Sequence, residues 1–365
     1  SGDSAITACS SAADLNPYMS AVLLHGLDTP APGADYELSG EHVVITDSDS
    51  PAVAVPTSTS GNFTAYNADT DEFSAVNAYH HLDSLFRLLE DLGFDIPTYF
   101  SGTTRPIPVD HRGEGGSVNA HHYGLGGSTT KFTFGLASAG CDVGIAADKR
   151  VVAHEFAHSM LENNIGDGAF SWAHGVGDSL AAILYDPGSN AGDRHRTFPW
   201  NTLVTRRHDR DVASGWAWGG SQEDSNYQST EILSSTLFRA YQSTGGGASG
   251  LSEQEFASRY MAYLICAAVG AATSTSPPAS ADDFATLLME ADEGTTSFEG
   301  HPGGAFHKVI RWAFEKQGLY QPAGAPVPVA SEGAPPEVDV YIDDGRDGEY
   351  DYLRNFWSSP DIWNR

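Results

Sequence analysis

The sequence predicts an α+β protein in which a β-rich first part and a mainly helical second part meet at one helix. Residues 97–147 show strand-like alternation between glycine-rich turns, whereas residues 166–322 show mostly helical periodicity. The stretch His154-Glu155-Phe156-Ala157-His158 lies where the two parts meet. We therefore expect two lobes: residues 1–165, which end in the helix around His154, and residues 166–322.

The first lobe contains one long predicted helix. Residues 71–94 form an amphipathic pattern whose apolar stripe consists of Leu82, Leu85, Phe86, Leu89 and Leu92. Ahead of this helix, residues 42–46 and 52–55 are strand candidates in a region rich in Ser, Thr, Asp, Gly and Pro.

The second lobe is predicted to be mostly helical. Helices are expected over residues 173–185, 228–243, 252–272, 281–292 and 308–317. Ser252 and Ser280 are the expected N-caps of the third and fourth of these helices. Small residues on one side of the first helix suit close packing against a neighbouring helix.

The end of the chain differs from both lobes. Residues 323–336 form a linker rich in Pro, Ala and Gly, and residues 337–365 form an acidic strand–loop tail that resembles the start of another domain. Its carboxylates, around glycines, are of the kind that bind Ca²⁺; they are Asp339, Asp343, Asp344, Asp347 and Glu349. A solvated acidic turn is the alternative.

The H-E-x-x-H stretch predicts a zinc site. Two histidines four residues apart share a helix face, so His154 and His158 can bind one metal ion. Glu155 could then act as a general base toward a zinc-bound water. Asp148 is a plausible N-cap of this helix. A core helix with two incidental histidines is the alternative, but buried imidazoles and carboxylates need partners.

A catalytic zinc needs a third protein ligand. Asp178, in the following predicted helix, is the favoured candidate. His174 is the rival, because it lies four residues earlier on the same face. If Asp178 binds the metal, His174 becomes a group that supports the ligands or contacts the substrate.

The order of these motifs resembles the gluzincin zinc peptidases of the thermolysin and fungalysin type. That family carries a glutamate as third ligand, where this chain carries Asp178. The long helix over 71–94 also resembles a helix of the family's N-terminal domain. The segment Ser117-Val118-Asn119-Ala120-His121-His122-Tyr123-Gly124 resembles the family's edge strand. The resemblance implies that Asn119 and Ala120 contact an extended substrate.

The segment Gly303-Gly304-Ala305-Phe306-His307 resembles the family's Gly-Gly-x-His segment, with one extra residue before the histidine. The resemblance implies that His307 donates a hydrogen bond to the reaction's oxyanion, with His301 as the alternative. One of Arg206, Arg207 and Arg210 could steady the substrate or a ligand. A solvated structural cluster explains these arginines equally well.

The acidic composition limits which molecules the protein can bind. The 365 residues include 19 Lys and Arg against 48 Asp and Glu, giving a formal net charge of −29. Nucleic acids and anionic membrane surfaces would be repelled. No apolar run is long enough for a transmembrane helix, so we expect no membrane insertion.

Three cysteines allow at most one internal disulfide and leave one thiol.

Together these features predict a secreted, monomeric zinc endopeptidase that hydrolyses protein or peptide substrates, with one catalytic zinc and a structural calcium. Two alternatives share the same sequence features. One is a non-catalytic binding or surface module on a zincin fold, and the other is a zinc amidase that acts on cell-wall amide bonds.

Overall fold

The protein combines α-helices with a small mixed β-sheet, which agrees with the predicted presence of both element types. The computed structural model describes residues 6–166, 168, 170–199, 205–222, 227–273, 276–319, 341–343 and 350–352. The described residues divide into two compact units. The first is drawn from Ser1–Asp167, Ala191–Asp193 and Thr197–Thr205, and the second from Gly168–Asn190, Arg194–Arg196 and Arg206–Arg365.

The first unit contains the four-stranded sheet. Its strands are β1 (Val43–Thr46), β2 (Ile107–Asp110), β3 (Ala120–Gly124) and β4 (Thr129–Phe134). Their order is β1-β2-β4-β3, so β3 lies at an edge, as predicted. Strand β2 is parallel to β1 and β4, whereas β3 is antiparallel to β4. The strand predicted over 52–55 is wrong, because these residues are irregular.

Two long helices of the first unit pack together through aromatic rings. The helices of this unit are α1 (Ala12–Leu15), α2 (Asp71–Asp91), α3 (Ile96–Tyr99) and α4 (Lys149–Asn164). Phe86 of α2 meets Phe156 of α4 edge-on, with ring centroids 4.9 Å apart, and also contacts Phe100 at 5.0 Å. The predicted long helix is confirmed as α2. A disulfide joins Cys9 to Cys141, and Cys266 of the second unit is a buried free thiol.

The second unit is built mainly from helices. They are α5 (Ala173–Leu184), α6 (Tyr227–Tyr241), α7 (Leu251–Ala271), α8 (Ala281–Gly294) and α9 (His307–Lys316). The short strands outside the main sheet are β5 (Arg196–Thr197), β6 (Arg206–Arg207), β7 (Ser297–Phe298), β8 (His301–Pro302), β9 (Tyr341–Asp343) and β10 (Tyr350–Tyr352). The helices match the predicted segments within a few residues at each end.

One predicted N-cap is confirmed and one is wrong. Ser280 caps α8, since its hydroxyl accepts from Asp283 N, and the Asp283 side chain accepts from Ser280 N in return. Helix α7 begins one residue earlier than predicted, so its N-cap is Gly250 and Ser252 lies inside the first turn. The predicted close packing of α5 is confirmed at Gly175. A Cβ added there would lie 2.8 Å from the Thr230 carbonyl oxygen of α6.

The acidic tail is described only in part. Asp343 ends β9, which pairs with β10 in an antiparallel hairpin. The linker over 323–336 lies outside the described residues, as do Asp339, Asp344, Asp347 and Glu349. The calcium site therefore stays a prediction.

Candidate metal centre

Helix α4 carries the predicted zinc motif in its buried middle. Asp148 caps the helix, as predicted, because its side chain accepts a hydrogen bond from Arg150 N at 2.9 Å. His154, Glu155 and His158 are 2%, 5% and 7% exposed. The Phe156 ring, packed on α2, fixes how the helix is rotated, so that the motif keeps one orientation.

The two imidazoles of α4 point their outer nitrogens at a common position. His154 Nε2 and His158 Nε2 are 3.1 Å apart, and the rings meet at 76°. A tetrahedral zinc with Zn–N bonds near 2.0–2.1 Å holds two ligand nitrogens roughly 3.3 Å apart. The observed separation fits that requirement. It also permits a hydrogen bond between the rings when one of them carries the shared proton.

The carboxylate of Glu155 is held by the backbone of the edge strand. Glu155 Oε2 accepts a hydrogen bond from His122 N of β3 at 2.8 Å. The His122 ring in turn lies 3.1 Å from Thr129 Oγ1, which donates to Ser159 Oγ of α4 at 3.0 Å. This network ties β3 and β4 to the helix beside the motif. Sequence reasoning missed the contact because it joins residues 33 positions apart.

The predicted substrate-contact residues lie at the sheet edge. Asn119 is exposed and directly precedes β3, whereas Ala120 is buried at 6% exposure. The Asn119 carbonyl accepts from Gly135 N, and its side-chain nitrogen lies 3.3 Å from His121 Nε2. The edge position is thus confirmed, and the substrate contact stays a prediction.

Helix α5 of the second unit carries both candidates for the third ligand. Asp178 is fully buried, and its Oδ2 lies 3.4 Å from Arg206 Nε. His174 lies one turn earlier and is half-buried. Asp178 therefore already has a cationic partner in its own unit, which sequence reasoning did not assign to it.

The arginines near residue 206 are each engaged by a carboxylate of the second unit. Arg207 makes two hydrogen bonds to Asp209, at 2.7 and 2.9 Å. Arg210 pairs with Glu231 and its guanidinium also stacks 3.8 Å from the centroid of the Trp216 ring. With Arg206 on Asp178, these contacts favour the structural interpretation of the cluster over the substrate-binding one.

His307 opens α9 and is oriented by a buried aspartate. Its Nδ1 lies 3.0 Å from the Gly304 carbonyl oxygen and 3.3 Å from Asp292 Oδ2. Asp292 also accepts from the backbone amides of Phe306 and His307 and from the hydroxyl of Tyr260. The hydrogen bond to Asp292 raises the pKa of His307 above its ordinary value, although burial opposes it.

The alternative residue, His301, has a different environment. Its ring packs edge-on against Phe256 with centroids 4.7 Å apart. His307, with a carboxylate behind one nitrogen, is the better hydrogen-bond donor of the two. The sequence could not point to Asp292, because this residue belongs to the preceding helix and meets His307 only after the chain reverses.

No model of a known protein family matches the chain, and no curated protein matches it. None of the helices in the described part of the chain combines the length and the apolar character that a membrane span requires.

Proposed function

We propose that this protein is a secreted zinc-dependent endopeptidase that hydrolyses protein or peptide substrates. One observation carries the proposal. On a buried helix, two imidazole nitrogens point at one position, and the carboxylate of Glu155 lies next to them in sequence, held by the edge-strand amide of His122. The two-lobed arrangement of zincin peptidases is part of the same proposal.

For the zinc we propose His154 and His158 as two ligands, and His174, one of the two candidates that the sequence offers, as the third. We prefer His174 to Asp178, the residue favoured from sequence, because the Asp178 carboxylate pairs with Arg206. Three histidines with one open position are an established ligand set of catalytic zinc. In this arrangement Asp178 and Arg206 stabilise α5 one turn beyond the ligand.

The metal, when bound, would polarise a substrate carbonyl and lower the pKa of a water molecule to about 7. Glu155 is the residue that would accept the proton of that water and deliver it to the departing amine. The hydrogen bond from His122 N restrains the Glu155 carboxylate in one orientation, so less reorganisation is needed as the proton moves.

The proposal gives roles to two further groups. Strand β3 lies at the sheet edge, and with Asn119 directly before it and Ala120 at its start it would align an extended substrate by strand addition. His307 would donate a hydrogen bond to the oxyanion that forms on the scissile carbonyl. Its protonated form is favoured by Asp292, so the ring is prepared to stabilise negative charge.

Secretion is supported by two properties of the chain. The Cys9–Cys141 disulfide suits an oxidising compartment. The net charge of −29 suits a protein that works in solution away from anionic polymers.

The proposal is tested by metal analysis and casein hydrolysis on the full chain and on Glu155→Gln. We expect about one tightly bound zinc in both proteins, hydrolysis by the parent protein that a chelator abolishes, and a loss of at least about 10³-fold in the variant. Glu162→Gln is the matched control, because Glu162 lies on the same helix and binds the amide of Gly127. It should keep most of the activity.

Other outcomes separate the alternatives. Zinc without hydrolysis of any protein substrate would favour a binding module, whereas hydrolysis of cell-wall amides alone would favour an amidase. Absence of zinc would overturn the proposal. For the third ligand, His174→Ala should lower zinc content, and Asp178→Asn should retain it. The reverse result would restore Asp178 as the ligand.

A further inference from the structure

A group of side chains of the types that ligate metals lies in the first unit, where helix α2 ends beside the start of β1. Glu41 and His42 directly precede β1, and Glu90 belongs to the last turn of α2. Each residue offers one ligand atom, and these atoms all lie within 4.8 Å of one another. None of the three residues belongs to the motif on α4.

The imidazole of His42 is fixed and fully buried. The ring stacks on Phe86 with centroids 5.0 Å apart and an interplanar angle of 15°, and the backbone carbonyl accepts from Ile107 N of β2. Within the described part of the chain, neither ring nitrogen has a hydrogen-bond partner. Nε2 lies 3.8 Å from Glu90 Oε2, which is beyond hydrogen-bond distance. A buried polar nitrogen thus faces two carboxylates without bonding to either.

The charges around this ring favour a cation. Glu90 and Asp91 occupy the C-terminal turn of α2, which contains no basic residue, although the helix dipole favours positive charge there. Arg87, a positive charge that acts on His42, is held by Asp83 at 2.7 Å. Burial lowers the pKa of His42, with Glu90, Asp83 and Glu41 opposing the shift. The space beside the ring is therefore negatively charged, which suits a bound cation.

We propose that Glu41, His42 and Glu90 form a binding site for a divalent transition-metal ion such as Zn²⁺. One imidazole with two carboxylates is a donor set for zinc or manganese rather than for calcium or magnesium, which prefer oxygen alone. Zn–N and Zn–O bonds of about 2.0–2.2 Å bring ligand atoms to roughly 3.3 Å from one another. Both glutamates are exposed, so their side chains can close the remaining gap around the fixed ring.

The bound ion would link the start of β1 to the end of α2. It would also give the buried nitrogen of His42 a partner and neutralise the acidic end of the helix. We therefore expect zinc to stabilise the first unit, independently of any hydrolysis.

The test is a zinc chloride titration of the full chain by calorimetry, with Glu41→Gln and Glu90→Gln as variants. Both substitutions lie on the surface and should leave the fold intact. Each should weaken one zinc-binding event by at least about tenfold. Asp91→Asn is the matched control, because it removes a neighbouring charge from the same turn and should change affinity less than about threefold. A tenfold excess of Ca²⁺ should leave this binding event in place.

A spectroscopic readout identifies the nitrogen ligand. In protein labelled with ¹⁵N-histidine, the His42 ring signals should shift on adding zinc and stay unshifted in Glu90→Gln at the same concentration. The proposal is overturned if no zinc-binding event responds to either glutamine variant, or if Asp91→Asn weakens binding equally. These variants leave the zinc motif on α4 unchanged. The proposed peptidase function is therefore tested separately, by the metal content and hydrolysis of Glu155→Gln.

Discussion

At the residue scale, His154, Glu155 and His158 are buried in positions that an apolar side chain would fill at lower cost. A buried carboxylate is stable only with partners, and Glu155 has the backbone amide of His122. The Nε2 atoms of His154 and His158 lie 3.1 Å apart, a separation that suits either a hydrogen bond between the rings or two ligands of the proposed zinc.

The pH dependence of the proposed hydrolysis should follow His307. Since Asp292 raises its pKa above the ordinary value, the protonated ring persists to higher pH than a free histidine would. Oxyanion stabilisation, and any folding stability from the His307–Asp292 pair, should be present below the unfolded pKa of about 6.5 and lost as pH rises through the raised folded pKa. NMR titration of the His307 ring in Asp292→Asn should give a lower pKa than in the parent protein.

The matching kinetic measurement is the pH profile of kcat in His307→Gln. At alkaline pH, kcat of His307→Gln should fall less than kcat of the parent protein, because glutamine donates a hydrogen bond at every pH. His301→Gln is the control and should keep the parent profile. An unchanged profile in His307→Gln, with a changed one in His301→Gln, would assign the oxyanion role to His301.

The local part of the site could be predicted from sequence, and the long-range part could not. His154, Glu155 and His158 follow from spacing along a single helix. The partners of Glu155 and His307 depend on which strand and which helix end pack beside them. No periodicity encodes such contacts. Spacing favours Asp178 as the third ligand, but its pairing with Arg206 is a long-range contact that spacing does not reveal.

At the element scale, the helices were predictable because their signals are local. Asp148 and Ser280 mark the starts of α4 and α8 through side-chain hydrogen bonds to nearby amides. The apolar alternation over 52–55 also suggested a strand, but a strand needs a pairing partner, and these described residues have no strand beside them. Whether a segment pairs with a strand that is distant in sequence cannot be read from its local pattern.

The close contact between α5 and α6 predicts that a glycine-to-alanine substitution in α5 lowers stability, which is opposite to its usual effect in a helix. Glycine to alanine inside a helix ordinarily stabilises by about 0.5–1 kcal/mol. At Gly175 the new Cβ would lie 2.8 Å from the Thr230 carbonyl oxygen and 3.0 Å from Leu233 Cβ, both on α6. We expect Gly175→Ala to lower the free energy of unfolding by about 1–3 kcal/mol. Chemical denaturation followed by circular dichroism measures the change.

Gly294 provides the comparison. It ends α8, and a Cβ there would meet no heavy atom within 4 Å. Gly294→Ala should leave stability unchanged or raise it by up to about 0.5–1 kcal/mol. If both alanine variants shift stability in the same direction, close packing of α5 is not what requires glycine at position 175.

At the scale of the whole molecule, each unit has its own core. The first is organised around the sheet and the packed pair α2 and α4, and the second around α5 to α9. The zinc motif and the Glu41, His42 and Glu90 group both belong to the first unit, next to the aromatic contacts of Phe86. Packing against these rings fixes imidazoles in both groups, and a metal site needs ligands that are held in position.

The acidic surface should make the stability of the molecule depend on salt. With a net charge of −29, surface carboxylates repel one another, and this repulsion opposes the compact state. Raising NaCl from about 0.1 M to 1 M shortens the screening length from about 10 Å to 3 Å. We expect the Tm at pH 7.5 to rise by roughly 3–6 °C over that range. Near the sequence pI of about 4.5, where the net charge vanishes, the same salt increase should raise Tm far less. Equal shifts at the two pH values would show that salt acts through general exclusion from the surface, and that self-repulsion contributes little to the stability of this chain.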